Sequence, residues 1–324
     1  MSAFKKLIPI AVAALALIPV RSSAEDAYPN RTVRLIVGFA AGSSGDVTAR
    51  IVSNKLSELL GQTVIVENKP GASSMIATDY VARAQKDGYT LLLATIAATI
   101  NTTLRPGKGA NFEKDLAPIA LVGSLPNILV VTPTLNVNSV KDLIALAKEK
   151  PEPLLYGASG LGSGPHMTTE LFNQTAGIQM TAVLYPGSAQ TVTDLIAGRI
   201  QVMFAPASTV VGLMKQGSVR ALATSEAKRS SIAPDLPTIA ESGLPGFDTG
   251  VWFGLLAPTG TPTPIIEKLS KATNDALKDP QVLKQLHTQG LDALGGSPDE
   301  FRIFIKSETE RWAAVLGKMP EAKK

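Results

Sequence analysis

The chain has 324 residues, of which 31 are Lys or Arg and 27 Asp or Glu, and it contains no cysteine. Disulfides and thiolate chemistry are therefore excluded, and two histidines are too few for a multi-histidine metal centre. With 5 % aromatic residues and no cluster of Lys or Arg, nucleic-acid binding has no footing.

The first 24 residues read as a secretory signal: Lys5 and Lys6, an apolar run over 7–20, and Ser22 and Ala24 before the cut. The run is shorter than the ~20 residues that span a bilayer, so export and cleavage after Ala24 are expected. Removing Lys5, Lys6 and Arg21 leaves 28 basic residues against 27 acidic, so most of the net +4 belongs to the leader.

Residues 33–39 read as a strand buried on both faces. Val47, Ile51, Val52, Leu56 and Leu59 then share one side of a helix over 46–60. A strand at 63–67, a helix at 75–84 and a strand at 91–95 follow. A second series begins after "TPTLNVNS", where Ser139 and Asp142 open a helix over 140–148. Strands at 154–158, 180–184 and 202–205 alternate with helices at 165–175, 188–197 and near 210–216, and a strand at 219–223 closes the series. Residues 230–250, rich in Pro and Gly, read as a connecting stretch. "VWFGLLAP" is a strand, and helices at 264–277, 280–288 and 298–316 end the chain. The last begins with Ser297, Pro298 and Glu300 as N-cap, first-turn proline and reciprocal cap.

No internal repeat is visible. Alternating strands and helices imply parallel crossovers with helices on both faces of a sheet. The expected fold is α/β with two domains, 25–130 plus 250–324 and 131–249, the closing helices returning to the first.

Catalytic patterns are thin. "GASGL" and "LGSGP" each miss G-x-S-x-G by a residue, and "GASGLGSG" is not G-x-G-x-x-G. A hydrolase would have to use Ser163 and His166. What recurs instead is a junction: "FAAGSSGD", "YGASGLGSGPHM", "LYPGSAQT" and, more loosely, "LLATIAATINTT" each carry a strand into a helix. Open α/β sheets bind ligands at such carboxyl ends of strands. Small residues let a ligand approach the backbone, and the first N–H groups of a helix favour an anion. Each terminus contributes only ~0.3–2 kcal/mol, so several must converge to approach the roughly 8 kcal/mol of a micromolar complex. Two domains facing across a cleft provide that convergence.

Several side chains keep two readings. Asp46 caps its helix or meets the ligand. His166 donates to the ligand or satisfies a carbonyl. Asn101 touches the ligand or serves a turn, and Tyr185 walls the site or packs.

The stretch "YPNRTVRLIVGFAAGSSGDVTARIVSNKLSELLGQTVIVENKPGASS" resembles the start of tripartite tricarboxylate transporter receptors, the Bug family of periplasmic solute-binding proteins. "DGYTLLLAT", "YGASGLGSGPHMTTELF", "DLIAGRIQVMF", "LPTIAESGLPGF", "WFGLLAPTGTP" and "SPDEFRIFIKSETERW" continue the match in order. The resemblance implies a Venus-flytrap protein, acting as a monomer without cofactor or metal. It would capture a small organic carboxylate and deliver it to a two-component membrane permease. A sensory protein engaging a membrane histidine kinase would have the same sequence features.

The resemblance also implies site residues. The family's F-x-x-G-G-x-x-D loop falls on Phe39, Gly42 and Asp46, with Ser43 at the second glycine. Backbone amides of Ala40, Ala41, Gly42, Ser43 and Ser44 are expected to hold one carboxylate. Ser159, Gly162, Ser163, Gly164 and His166 face it from the second domain, and Ile96, Ala97 and Asn101 come from the looser junction. The family's Y-K-G segment falls on Tyr185, Pro186 and Gly187, so the lysine is missing, and Ala205 stands where many relatives carry an acid. Losing both polar handles argues against an amino acid and for an apolar or aromatic carboxylate, with Phe39 and Tyr185 as walls.

Overall fold

Residues 28–317 are described in a computed structural model of the chain, and the signal segment expected at 1–24 lies outside them. The apolar run of β1 (Val33–Val37) is buried almost throughout, so its edges must pair on both sides. They pair in parallel with β2 (Val64–Asn68) and β3 (Thr90–Thr95). α1 (Ser44–Leu60) joins β1 to β2, and α2 (Met75–Ala82) joins β2 to β3. α3 (Ile96–Leu104) starts directly from the last residue of β3, with Thr95 as its N-cap.

After α4 (Phe112–Asp115) comes β4 (Leu116–Val131), a strand of 16 residues that the sequence analysis does not foresee. Pro118 and Pro126 interrupt its pattern, and proline within a run argues against a central strand. The register shifts on either side of Ala120 take up the irregularity near Pro118. β4 runs antiparallel to β9 (Gly250–Pro258) from Leu116 to Pro126, and β9 in turn pairs antiparallel with β3.

Beyond Pro126 the same strand is the middle of a second sheet. There it lies between β7 (Val202–Pro206) and β8 (Arg220–Thr224). α5 (Val140–Glu149) leads to β5 (Leu155–Ala158), then α6 (Gly164–Ala176), β6 (Thr181–Leu184), α7 (Ser188–Ile196), β7 and α8 (Ala207–Lys215). β5 pairs in parallel with β6 and β7. The strand orders β2-β1-β3 and β6-β5-β7 are the same, so the topology repeats where the sequence does not.

Each sheet has its own core. Leu35, Leu91, Leu92, Phe253 and Trp312 belong to the first. Tyr156, Phe172 and Phe204 fill one face of the second sheet, and Ile128, Met203 and Val210 the other. α9 (Thr263–Ala276), α10 (Pro280–Thr288) and α11 (Pro298–Leu316), with the short β10 (Asp292–Ala293) between the last two, pack on the first core. We call the two bodies lobe 1 and lobe 2. No helix among the described residues is long and apolar enough to cross a membrane.

Candidate functional site

The carboxyl ends of the parallel strands of both lobes meet around a cavity of about 480 Å³, its mouth included. Lobe 1 contributes Phe39, Ala40, Ser43, Ser44, Gly45, Thr95, Ile96 and Val251, and lobe 2 contributes Ser159, Ser163, Gly164, Pro165, Pro186, Gly187, Ser188 and Pro206. None of these residues is charged. α1, α3, α6, α7 and α8 all begin here, because their N-caps Ser43, Thr95, Ser163, Gly187 and Pro206 line the cavity. The N–H groups of Ser44, Gly45, Gly164 and Ser188 lie in first turns, where the helix itself supplies no acceptor.

The loop opening α1 is held by its own side chains. Gly42 has φ 79°, a conformation open to glycine at no steric cost, and this turns its N–H onto Asp46 Oδ2 at 3.0 Å. Ser43 N donates to Ala40 O at 3.2 Å, and Ser43 Oγ accepts from Asp46 N at 3.3 Å. Burial opposes the ionised Asp46, but hydrogen bonds from Arg50, the Gly42 N–H and Asn68 outweigh it and hold the carboxyl below its ordinary value.

The loop opening α6 has the same build. Gly162 has φ 80°, Ser163 N donates to Gly160 O at 3.2 Å, and Ser163 Oγ accepts from His166 N at 3.3 Å. The Gly162 N–H points to His166 Nδ1 at 3.4 Å, which assigns the ring proton to Nε2. Burial lowers the His166 pKa to about 4, so the imidazole is neutral near pH 7. Ser163 Oγ thus engages the His166 backbone rather than its ring, and the pair does not form a nucleophile and base.

A third turn carries no expectation from the sequence. Ala72, Ser73 and Ser74 have φ of 46°, 51° and 74°, a left-handed run of non-glycine residues costing on the order of 1–2 kcal/mol each. Asn101 Nδ2 donates to Ser73 O at 2.9 Å, and Thr78 Oγ1 to Ser74 O at 3.0 Å. Gly38, just after β1, leaves room for the turn, since a Cβ there would lie 1.9 Å from Ser74 Oγ.

A family profile described as the tripartite tricarboxylate transporter family receptor matches residues 48–320. The chain belongs to this family. This receptor is 37 % identical over 293 residues to protein BugT of Bordetella pertussis, covering 90 % of each chain. It is 35 % identical over 297 residues to the UPF0065 protein of the tcbD-tcbE intergenic region in Pseudomonas sp. strain P51, covering 91 % of this chain and 88 % of that one. Among solved structures, R. palustris Rpa4515 with adipate matches at a TM-score of 0.86 and 37 % identity, over 90 % of this chain and 97 % of that one. MatC (Rpa3494) from Rhodopseudomonas palustris with bound malate matches at 0.83 and 30 %, over 89 % and 99 %. The family and these neighbours are solute receptors, not enzymes.

Of the residues the resemblance implied for this receptor, Phe39, Ala40, Ser43, Ser44, Ile96, Ser159, Ser163, Gly164 and Gly187 line the cavity. The rest stand outside its lining. Ala41 and Gly42 are exposed on the first loop, and Asp46 is turned into that loop as its clamp. Ala97 is buried in α3, and Ala205 in β7 opposite Ile128. Asn101 is spent on Ser73, and Gly162 faces Leu104 and Asn101. His166 is buried near the Tyr156 ring, with centroids 6.3 Å apart. Tyr185 donates its hydroxyl to Asp194 at 2.9 Å and packs on the second core instead of walling the site.

Gly45, Thr95, Pro165, Pro186 and Ser188 adjoin residues the sequence analysis named and follow from the same junction pattern. Pro206 and Val251 reach the cavity only through long-range pairing of β7 and β9 with β4, for which the local sequence carries no signal.

Proposed function

We propose that the chain is a periplasmic receptor that closes its two lobes around a small organic carboxylate. It hands that solute, as a monomer, to a two-component permease in the membrane. The observation that carries this is the convergence of helix N-termini on a cavity with no charged lining residue. Partial positive charge from several helix starts suits an anion, and no carboxylate stands ready for an ammonium group. Phe39, Ile96, Val251, Pro165, Pro186 and Pro206 give the cavity apolar walls, which suit a hydrocarbon segment between polar ends. Relatives solved with adipate and malate support the same solute class.

A thermal-shift screen tests this with adipate, malate, benzoate, an amino acid, a sugar and a metal salt. A carboxylate at 100 times its dissociation constant is expected to add ~2.7 kcal/mol of stability. Stabilisation by the sugar or the cation alone would remove the acid-binding proposal.

A further inference from the structure

We propose that Ser73, which lies outside the ligand cavity, is the latch that sets how long the cleft stays shut. The role rests on the reading that the lobes close over a solute, and it concerns the rim rather than the binding surface.

Ser73 belongs to lobe 1, yet its Oγ donates to the main-chain oxygen of Leu161 in lobe 2 at 2.5 Å. The hydroxyl reaches across because its backbone is held in the left-handed region together with Ala72 and Ser74. Such conformations persist only where surroundings over-determine them, and they gather at clamps and switches. Here the surroundings are identifiable. Asn101 from α3 fixes the Ser73 carbonyl, Thr78 from α2 fixes the Ser74 carbonyl, and Gly38 gives the turn its seat beside β1. The loop after β1 and the first residue of α3 are among the lobe 1 lining of the cavity. The latch and the binding surface therefore share one frame.

The opposing lip is shaped to receive it. A Cβ on Gly160 would lie 3.1 Å from Ser73 Oγ, and one on Gly162 would lie 3.0 Å from Leu104 and 3.3 Å from Asn101 Oδ1. Glycines at both positions let the lobe 2 loop close down on Ser73 and Asn101. Asn101 Oδ1 is buried without a hydrogen-bond partner, which leaves the Ser73 hydroxyl as the group that bridges the rim at this point.

The test is the kinetics of adipate exchange in wild-type, Ser73→Ala and Leu161→Ala proteins. Ser73→Ala is expected to speed adipate dissociation about fivefold, in keeping with the loss of one hydrogen bond, while association stays within twofold. Leu161→Ala keeps the accepting carbonyl and is expected to stay within twofold on both rates. An unchanged dissociation rate in Ser73→Ala, or equal acceleration in Leu161→Ala, overturns the latch. If the wild-type chain takes up no adipate at millimolar concentration, adipate alone is removed as a solute while the carboxylate class still rests on the thermal-shift screen, and the latch is judged on the ligand-free protein. Spin labels on cysteines replacing Lys108 and Gln190 then report the distance between lobes, in a chain with no native cysteine to interfere. Ser73→Ala is expected to shift that distribution towards longer distances, and superimposable distributions overturn the proposal.

Discussion

In lobe 1 the loop 40–46 closes on a carboxylate, and in lobe 2 the loop 160–166 closes on an imidazole. The two loops share a left-handed glycine, a serine N-cap, the same backbone turn, and an N–H from the glycine to the residue four positions on, although lobe 2 adds a second left-handed glycine, Gly160, where lobe 1 has Ala40. The glycine and serine thus set the shape, and the last position only has to accept a hydrogen bond. What that position costs depends on its neighbours. Asp46 has Arg50 one helical turn on, with Arg50 Nη2 2.9 Å away. His166 has Glu170 at the same spacing and stays neutral. The same backbone device therefore runs on a compensated ion pair in one lobe and on an uncharged ring in the other.

The largest effect should come from forcing lobe 2 to use the chemistry of lobe 1. His166→Asp places a buried carboxylate one turn before Glu170 with no arginine to meet it. A loss of roughly 3 kcal/mol or more is expected in urea unfolding. A variant as stable as the wild type would mean that the two positions are interchangeable.

Acid should separate the loops next. The His166 pKa is lowered from 6.5 to about 4, so between these values the unfolded chain binds a proton that the folded chain does not. Stability from this site is intact above pH 6.5 and is lost as pH falls towards 4, by roughly 2–4 kcal/mol. The Asp46 carboxyl is held below 3.8, so its contribution is lost only in more acid solution. Amide exchange at pH 4.5 is therefore expected to loosen residues 162–167 before 42–47. Simultaneous loosening would break the distinction.

The smallest effects test what the loops share. Ser43→Ala and Ser163→Ala each remove one N-cap, worth ~1 kcal/mol, and their equal geometry predicts equal losses by chemical denaturation. Values differing by more than about 1 kcal/mol would show that the resemblance stops at the backbone.

Helix positions were legible because caps and periodicity are local. Ser297, Pro298 and Glu300 mark the start of α11, and the capping box is present as read. The glycine-serine junctions likewise led to the cavity lining. The hidden parts depend on partners far along the chain. The clamp role of Asp46 needs Asn68 from β2, and β4 accommodates Pro118 through register shifts against β9. The Ala72–Ser74 turn contains no residue that ordinarily favours positive φ, so only its seat against Gly38 and Asn101 explains it.

The passage between lobes has a consequence for recombination. The chain enters the second sheet at Asn127 and leaves it at Thr249, and Ser225 binds both, with Ser225 N to Asn127 O at 2.9 Å and Thr249 N to Ser225 O at 2.8 Å. Entry and exit are thus neighbours, so the whole intervening segment is a cassette whose ends fit a small gap in the host. Cutting at these two points would transplant α6, α7 and α8, with their share of the cavity lining, as one block between relatives. A new specificity could then be assembled by exchanging half a pocket while leaving the other half as it stands.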